Sequence, residues 1–389
     1  MEQPPGFVDS SFPQHVCLLQ KALYGLKQAP RQWFSTFSSF LLEQGFTVSK
    51  ADPSLFLFTC TSIHIYILIY VDDILLTGNN TDAIADLLLR LQLRFKVKDL
   101  GNLSQFLGVQ FVFSSHGISL HQQHYAKLIL QRAGLEHCKP VSSPLPTKYA
   151  TSSTDASLFP DAALYRRLAG SLQYLTITRP DLTFAVNYLC QFMHKPLISH
   201  YQLLKRVLRY VKGSLDFSLL YRPSSFVLTA YCDSDWAGDP FDRRSTTGFC
   251  VFLGDNPISW SSKKQPTIAR SSTEAEYRAL AITSTEIIWL RRLLSEFHIS
   301  PTTPTALLCD NVSALALAAN PVFHARTKHI EIDYHFIREK VNSGEIKLSH
   351  ISSIDQPADL FTKAHSSQRH HLLCSKLHVL ATSQLDGGS

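Results

Sequence analysis

The sequence predicts a multidomain protein of mixed α/β and α+β class. Three observations carry that expectation. An almost wholly apolar, β-rich run, Ile63 to Tyr70, meets the acidic pair Asp72-Asp73 and then a second apolar run, Ile74 to Gly78. Residues 161 to 213 have helical periodicity. From Phe226 onward, three alternating runs precede a succession of helical and strand-like segments. The chain has 389 residues, enough for two or three domains at roughly 150 residues each. Hydrophobic residues make up 45%, with 24 Phe and 14 Tyr to fill a core, and only 17% are charged, which excludes a disordered chain.

Along the chain, Leu18 to Gly45 reads mainly as helix, with Pro30 as a break or a start. The runs on either side of Asp72-Asp73 read as a hairpin with an acidic tip. Two neighbouring carboxylates repel each other unless solvent or divalent cations neutralise them. Asn80 to Phe95 is an amphipathic helix: Ile84, Leu87, Leu88 and Leu91 recur at helical spacing behind an Asn80 or Thr81 cap. Phe106–Phe113 and Ile118–Leu120 pair about Ser115-His116-Gly117, and His124–Gly134 is a short helix. The Pro-, Ser- and Thr-rich stretch Lys139–Leu158 closes a first domain, residues 1–140. Residues 141–225 form a helical segment that stops and restarts at Arg179-Pro180-Asp181. Its helix Leu203–Lys212 carries Lys205, Arg206, Arg209 and Lys212, a face suited either to phosphate contact or to plain solvation.

In residues 226–365, Phe226–Asp233, Thr247–Leu253 and Asn256–Ser261 alternate as three adjacent strands. Ser272–Phe297 is a long capped helix. Thr305–Cys309 and Ile346–Ile351 are strands, Val312–Ala319 and Ile330–Val341 helices, and Pro357–Thr362 opens a last helix. The tail, 366–389, is weakly patterned.

The formal net charge of +6 is compatible with a polyanionic partner. Eight Cys are scattered with no Cys-x-x-Cys pair, which predicts core thiols and no zinc site. No signal peptide is evident, and the most apolar stretch is far shorter than the ~20 residues of a membrane span. The expectation is a soluble intracellular protein, cytoplasmic or nuclear, with no membrane partner. Oligomeric state is not legible.

The ordered motifs are specific. Leu23-Tyr24-Gly25-Leu26-Lys27-Gln28-Ala29-Pro30-Arg31-Gln32-Trp33, Ala51-Asp52-Pro53-Ser54-Leu55-Phe56, Tyr70-Val71-Asp72-Asp73, Asp99-Leu100-Gly101 and Phe106-Leu107-Gly108-Val109 resemble the reverse transcriptase of Ty1/copia-type LTR retrotransposons. Tyr231 to Gly238, Ser271 to Tyr277 and Ala358 to Lys363 resemble the ribonuclease H domain of the same Pol polyproteins. The resemblance spans roughly residues 2 to 365. It implies a partial polymerase palm, a helical thumb or connection, and a ribonuclease H-like mixed five-stranded sheet with helices. It further implies a third polymerase carboxylate ahead of Gln3-Pro4-Pro5-Gly6-Phe7. That box begins at the third residue, so the expectation is no DNA synthesis from this chain alone unless an upstream exon supplies the missing strand.

The implied ribonuclease H chemistry is two-metal hydrolysis of the RNA strand of RNA–DNA hybrids, with Mg²⁺ (or Mn²⁺) ions ~4 Å apart on carboxylates from different elements. The matching residues are Asp233, Glu276, Asp310 and Asp359. Glu276 is preferred over Glu274 because it shares a helix face with Ala279, Leu280 and Thr283; Asp235, expected past the strand end, is second choice to Asp233. Arg243, Arg244, Lys263 and Lys264 fall in flanking loops suited to hybrid phosphates. His350 either aids product release or simply ends a strand. His329 and His335 bracket Glu331 and Asp333, a metal cluster or a polar helix face. Trp236 and Trp260 either stack or pack, with core packing the preferred role. In the polymerase half the resemblance places Asp72 and Asp73 at the metal site, Tyr70 near the primer end, and Lys27 and Gln28 near nucleotide or template. The alternative function is a catalytically silent remnant that binds nucleic acid.

Overall fold

The computed structural model describes residues 1–20, 23, 25–148, 157–319 and 331–381. The chain folds as two compact units, Met1–Asn102 and Leu103–Ser389.

In the first unit, strands β1 (Thr47–Val48), β2 (Leu55–Cys60), β3 (Ile63–Tyr70) and β4 (Asp73–Gly78) form an antiparallel meander in sequence order. Helices α1 (Ala29–Glu43) and α2 (Thr81–Phe95) cover it. Phe37 and Leu41 of α1 and Leu87 and Leu91 of α2 bury against Phe56, Ile65, Ile67 and Ile69. Asn80 caps α2 by accepting from the Ala83 amide at 2.9 Å. The helix expected from Leu18 is absent from the described residues before Ala29. Gly25 is left-handed (φ +89°), and Pro30 starts α1 because its ring clashes with a preceding helical turn.

In the second unit, α3 (Gln123–Arg132), α4 (Ala162–Leu175), α5 (Thr183–Cys190) and α6 (Ile198–Gly213) share one core around Tyr165, Leu172, Leu189, Leu208 and Val211. Strands β5 (Gln105–Phe106), β6 (Val109–Ser114), β7 (Gly117–His121), β8 (Phe217–Tyr221) and β14 (Val379–Ala381) form an antiparallel sheet in the order β14-β8-β7-β6-β5. The break between the units therefore falls well before residue 140. The hairpin and α3 bury their apolar faces on partners beyond the Pro- and Ser-rich stretch, which crosses a continuous core. The tail also differs from expectation. Residues Ser367–Lys376 form α10, and Leu373, Cys374, Leu377 and Val379 are buried. Polar residues such as the buried His370 hide its apolar periodicity.

Two of the basic residues of α6 are engaged within the unit. Arg209 donates to the Lys139 carbonyl at 2.7 Å and Arg206 to Ser143 at 3.1 Å.

Arg179 and Asp181, read from sequence only as a helix break, form a buried ion pair. Arg179 Nε and Nη2 donate to the two Asp181 oxygens at 2.9 and 2.7 Å, and Nη1 donates to the Ser214 carbonyl at 2.8 Å. Tyr210 donates to Asp181 at 2.7 Å, and His370 Nε2 lies 3.0 Å from the Tyr210 hydroxyl. Burial pushes His370 down to about 4 from its ordinary 6.5, against the pull of Asp181. The unfolded chain then binds the extra proton between these values, so stability falls as pH drops from about 6.5 to about 4. The expected loss is on the order of 3 kcal/mol. Urea midpoints at pH 7 and pH 4.5 check it: His370→Gln should flatten this dependence, and an unchanged slope would contradict it.

The third sheet comprises β9 (Leu228–Asp235), β10 (Thr246–Leu253), β11 (Asn256–Lys264), β12 (Thr305–Cys309) and β13 (Ile346–His350), ordered β11-β10-β9-β12-β13. The first three pair antiparallel, whereas β12 runs parallel to both β9 and β13. Helix α7 (Ser272–Glu296) packs on one face with α8 (Val312–Ala319) and α9 (Glu331–Asn342), around Ala230, Tyr277, Leu280, Leu307 and Ile337. The opposite face meets a 3₁₀ turn, Pro357–Phe361, and α10 through Cys250, Phe252, Phe361 and Leu373.

Candidate active site

Asp233 sits two residues inside the C-terminal end of the central strand β9, not at its last position, and is 3% exposed. Its cross-strand partner on β10 is Gly248. A Cβ on Gly248 would stand 2.7 Å from Phe361 Cβ and Thr362 Cγ2, so the missing side chain lets the 3₁₀ turn lie on the sheet. That turn carries Asp359 to Asp233. Thr362 Oγ1 donates to Asp233 Oδ2. Lys363 Nζ stands 2.6 Å from Asp359 Oδ1 and 3.7 Å from Asp233 Oδ2, a cation between the two carboxylates. Arg369 of α10 adds a contact to Asp359 Oδ2 at 3.3 Å. Gly248→Ala is expected to push the turn away and cost about 1–3 kcal/mol, as overpacking does. Thermal unfolding checks this, and a variant as stable as the parent would refute the close-approach argument.

Glu276 reaches the same edge from α7. Its Oε1 accepts from the Ser234 amide at 3.2 Å, and the Cys309 thiol lies 3.6 Å from its Oε2. Glu274 turns elsewhere, pairing with Arg278 at 2.8 Å. Half-buried Asp310 follows the end of β12 and accepts from Ser353 Oγ at 2.6 Å. Burial raises the Asp233 carboxyl to about 6, with Lys363 opposing and Asp359 adding to the rise. Burial and then Asp233 push Glu276 well up. Carboxyls held this way favour neutralisation by protons or by a cation. The four carboxylates are hard oxygen donors of the kind Mg²⁺ or Mn²⁺ needs.

The structure thus brings Asp233, Glu276, Asp310 and Asp359 to one sheet edge from four elements. Asp235 is the last residue of β9, not beyond it, and is engaged: its Oδ1 accepts from the Thr246 amide. His350 is the exposed last residue of β13, opposite Cys309. Arg243 and Arg244 are exposed in the β9–β10 loop, with Arg244 near Asp242 at 3.7 Å, and Lys263 is exposed on β11. Lys264 is committed to Asp239 and Asp242 at 2.5 and 2.9 Å. Trp236 is 51% exposed, contrary to the core role expected of it, while half-buried Trp260 donates to the Thr176 carbonyl at 3.1 Å. His329 lies outside the described residues, and His335 is 4.0 Å from Glu331 on α9. Sequence reasoning missed Thr362, Lys363, Ser353 and Arg369. The Asp359–Lys363 spacing of four was a legible signal.

In the first unit, Tyr70 pairs with Asp73 across a two-residue tip, Val71-Asp72. Val71 is left-handed (φ +51°), a strained conformation for a β-branched residue. Tyr70, Asp72 and Asp73 are exposed at this tip, and Lys27 and Gln28 are exposed just before α1.

A sheet of this order with these carboxylates on one edge is a ribonuclease H-like domain, here following a reverse-transcriptase-type hairpin. The reverse transcriptase (RNA-dependent DNA polymerase) family matches residues 1–147. The Retrovirus-related Pol polyprotein from transposon RE2 of Arabidopsis thaliana is 47% identical over 389 residues, covering 100% of this chain and 27% of that protein. The putative transposon Ty5-1 protein of Saccharomyces cerevisiae is 33% identical over 291 residues, 74% of this chain and 94% of its own. Among solved structures, the foamy viral protease-reverse transcriptase in complex with dsDNA is 12% identical with a TM-score of 0.42, over 85% of this chain and 60% of that one. The chain belongs to the Ty1/copia-type retrotransposon Pol family. It spans about a quarter of the length of relatives such as RE2. Among the described residues no helix is long and apolar enough to cross a membrane.

Proposed function

We propose that this chain hydrolyses the RNA strand of RNA–DNA hybrids at the Asp233, Glu276, Asp310 and Asp359 edge. The observation that carries the reading is the convergence of four carboxylates from separate elements, two of them with raised carboxyls, with the Lys363 ammonium set between Asp233 and Asp359. Bound there, Mg²⁺ or Mn²⁺ would supply Lewis-acid stabilisation and an activated water. The chain's own residues do the rest. Asp233 and Asp359 offer hard oxygens, which Lys363 neutralises in the structure. The Ser234 amide aims Glu276, and Ser353 aims Asp310. Exposed Arg243 and Lys263 suit the phosphates of a polyanionic duplex. Domain roles follow the same reading: a polymerase palm with Asp72 and Asp73 as metal-holding carboxylates and Tyr70, Lys27 and Gln28 toward primer and nucleotide, then a helical connection, then the hydrolase.

The test is incubation of the full chain with an end-labelled RNA–DNA hybrid and Mg²⁺, beside dsDNA of the same sequence. Cleavage of the RNA strand alone is expected. A folded chain that binds the hybrid and leaves it intact would favour the silent nucleic-acid-binding reading.

A further inference from the structure

Behind Glu276 lies a pair of thiols that hydrolysis does not use. Cys232 and Cys309 are both buried, far apart in sequence, and brought together by the parallel β9–β12 pairing, in which Leu308 stands opposite Tyr231. Sequence spacing excluded a thiol metal site because it saw only local Cys pairs. Both thiols pack into the same buried cluster, and Cys232 Sγ points to the carbonyl of Leu308, the residue before Cys309, at 3.8 Å. They occupy the α7 face of the sheet, packed with Ala230, Leu307 and Tyr277. Asp233 and Asp359 meet across the other face.

The donor atoms of Cys309, Glu276 and Asp310 lie within 4.8 Å of one another. A tetrahedral centre with Zn–S of about 2.3 Å and Zn–O of about 2.0 Å sets its sulfur and oxygen roughly 3.5 Å apart. Cys309 Sγ and Glu276 Oε2 are 3.6 Å apart, the edge length such a centre requires. Hard Mg²⁺ does not seek sulfur, whereas Zn²⁺ takes thiolate, and Zn²⁺ also outranks Mn²⁺ for a given mixed site.

We propose that Cys309, Glu276 and Asp310, with Cys232 beside them, form a site for a borderline-soft divalent cation of the Zn²⁺ class. On binding, the Cys309 S–H bond breaks, its proton leaves to solvent and a metal–sulfur bond forms; no electrons are exchanged. The consequence rests on the hydrolase reading: a cation held there takes Glu276 and Asp310 from the hydrolytic metals, so Zn²⁺ inhibits Mg²⁺-dependent cleavage.

The site itself is tested without cleavage. The full chain is titrated with Co²⁺ as a spectroscopic stand-in. A near-ultraviolet thiolate-to-cobalt charge-transfer band is expected, saturating at one equivalent, displaced by Zn²⁺ and lost in Cys309→Ser. No such band, or one that survives in Cys309→Ser and so belongs to another thiol such as Cys374, would overturn the proposal. X-ray absorption of the Zn²⁺-loaded unmutated chain needs no variant: a mixed sulfur and oxygen shell supports the site, and a sulfur-free shell overturns it. Both readouts stand or fall whether or not the chain cleaves a hybrid.

Discussion

On the proposed hydrolase reading, replacing Asp310 with Asn is expected to lower Mg²⁺-dependent hydrolysis of the RNA strand by ~100-fold or more. The metal that such a carboxylate would help to hold supplies several kcal/mol of transition-state stabilisation, and each ~1.4 kcal/mol is a factor of ten. The amide keeps the shape and an acceptor for Ser353, whose hydroxyl donates to Asp310 at 2.6 Å, so the fold should survive. Single-turnover cleavage, with hybrid binding measured in parallel, separates chemistry from affinity. A variant that cleaves as fast as the parent would remove Asp310 from the site.

The largest expected effect on stability lies elsewhere in the second unit, at Arg179 and Asp181. Asp181→Asn leaves the buried Arg179 guanidinium without its bidentate partner. Breaking one side of a buried pair costs ~3–5 kcal/mol, because the remaining charge is uncompensated. Replacing both residues together, Arg179→Met with Asp181→Leu, should recover much of that loss, since the penalty belongs to the orphaned charge. Denaturant midpoints of the single and double variants test this; equal losses would contradict it. The pair also has a pH signature. Burial alone would raise the Asp181 carboxyl, but the charge and hydrogen bonds of Arg179 hold it below its ordinary 3.8. Its contribution is therefore full above that value and disappears only in stronger acid, below the window set by His370.

What the sequence made legible was local or long in pattern. The Asn80 cap, the hairpin about Asp72 and the long α7 helix follow from periodicity and end signals confined to a few residues. The preference for Glu276 over Glu274 came from helix geometry, and the hydrogen bond from Ser234 agrees with it. Hidden features depend on partners far along the chain. The apolar face of β7 reads as a hairpin of the first domain until its pairing with β8 is known. The Arg179-Pro180-Asp181 break looks like punctuation because its charges are satisfied by Ser214 and Tyr210, far down the chain. Lys363 and Arg369 escaped notice for the opposite reason. Basic residues near acidic ones are common on surfaces; the spacing of four hints at the Asp359–Lys363 pair, but only the turn resting on Gly248 shows that the pair is carried to Asp233.

The sheet that begins with β5 is closed by a strand made much later. β14 pairs with β8, and the whole ribonuclease H-like sheet lies between them in the chain. During synthesis β8 therefore leaves the ribosome with one edge unpaired and keeps it open until residues 379–381 emerge. Because domains fold as units while the chain grows, the helical part and the ribonuclease H-like part can each settle first. The joining strand comes last, across a long and entropically slow closure. Until then the open edge of β8 is a template for pairing with a neighbour.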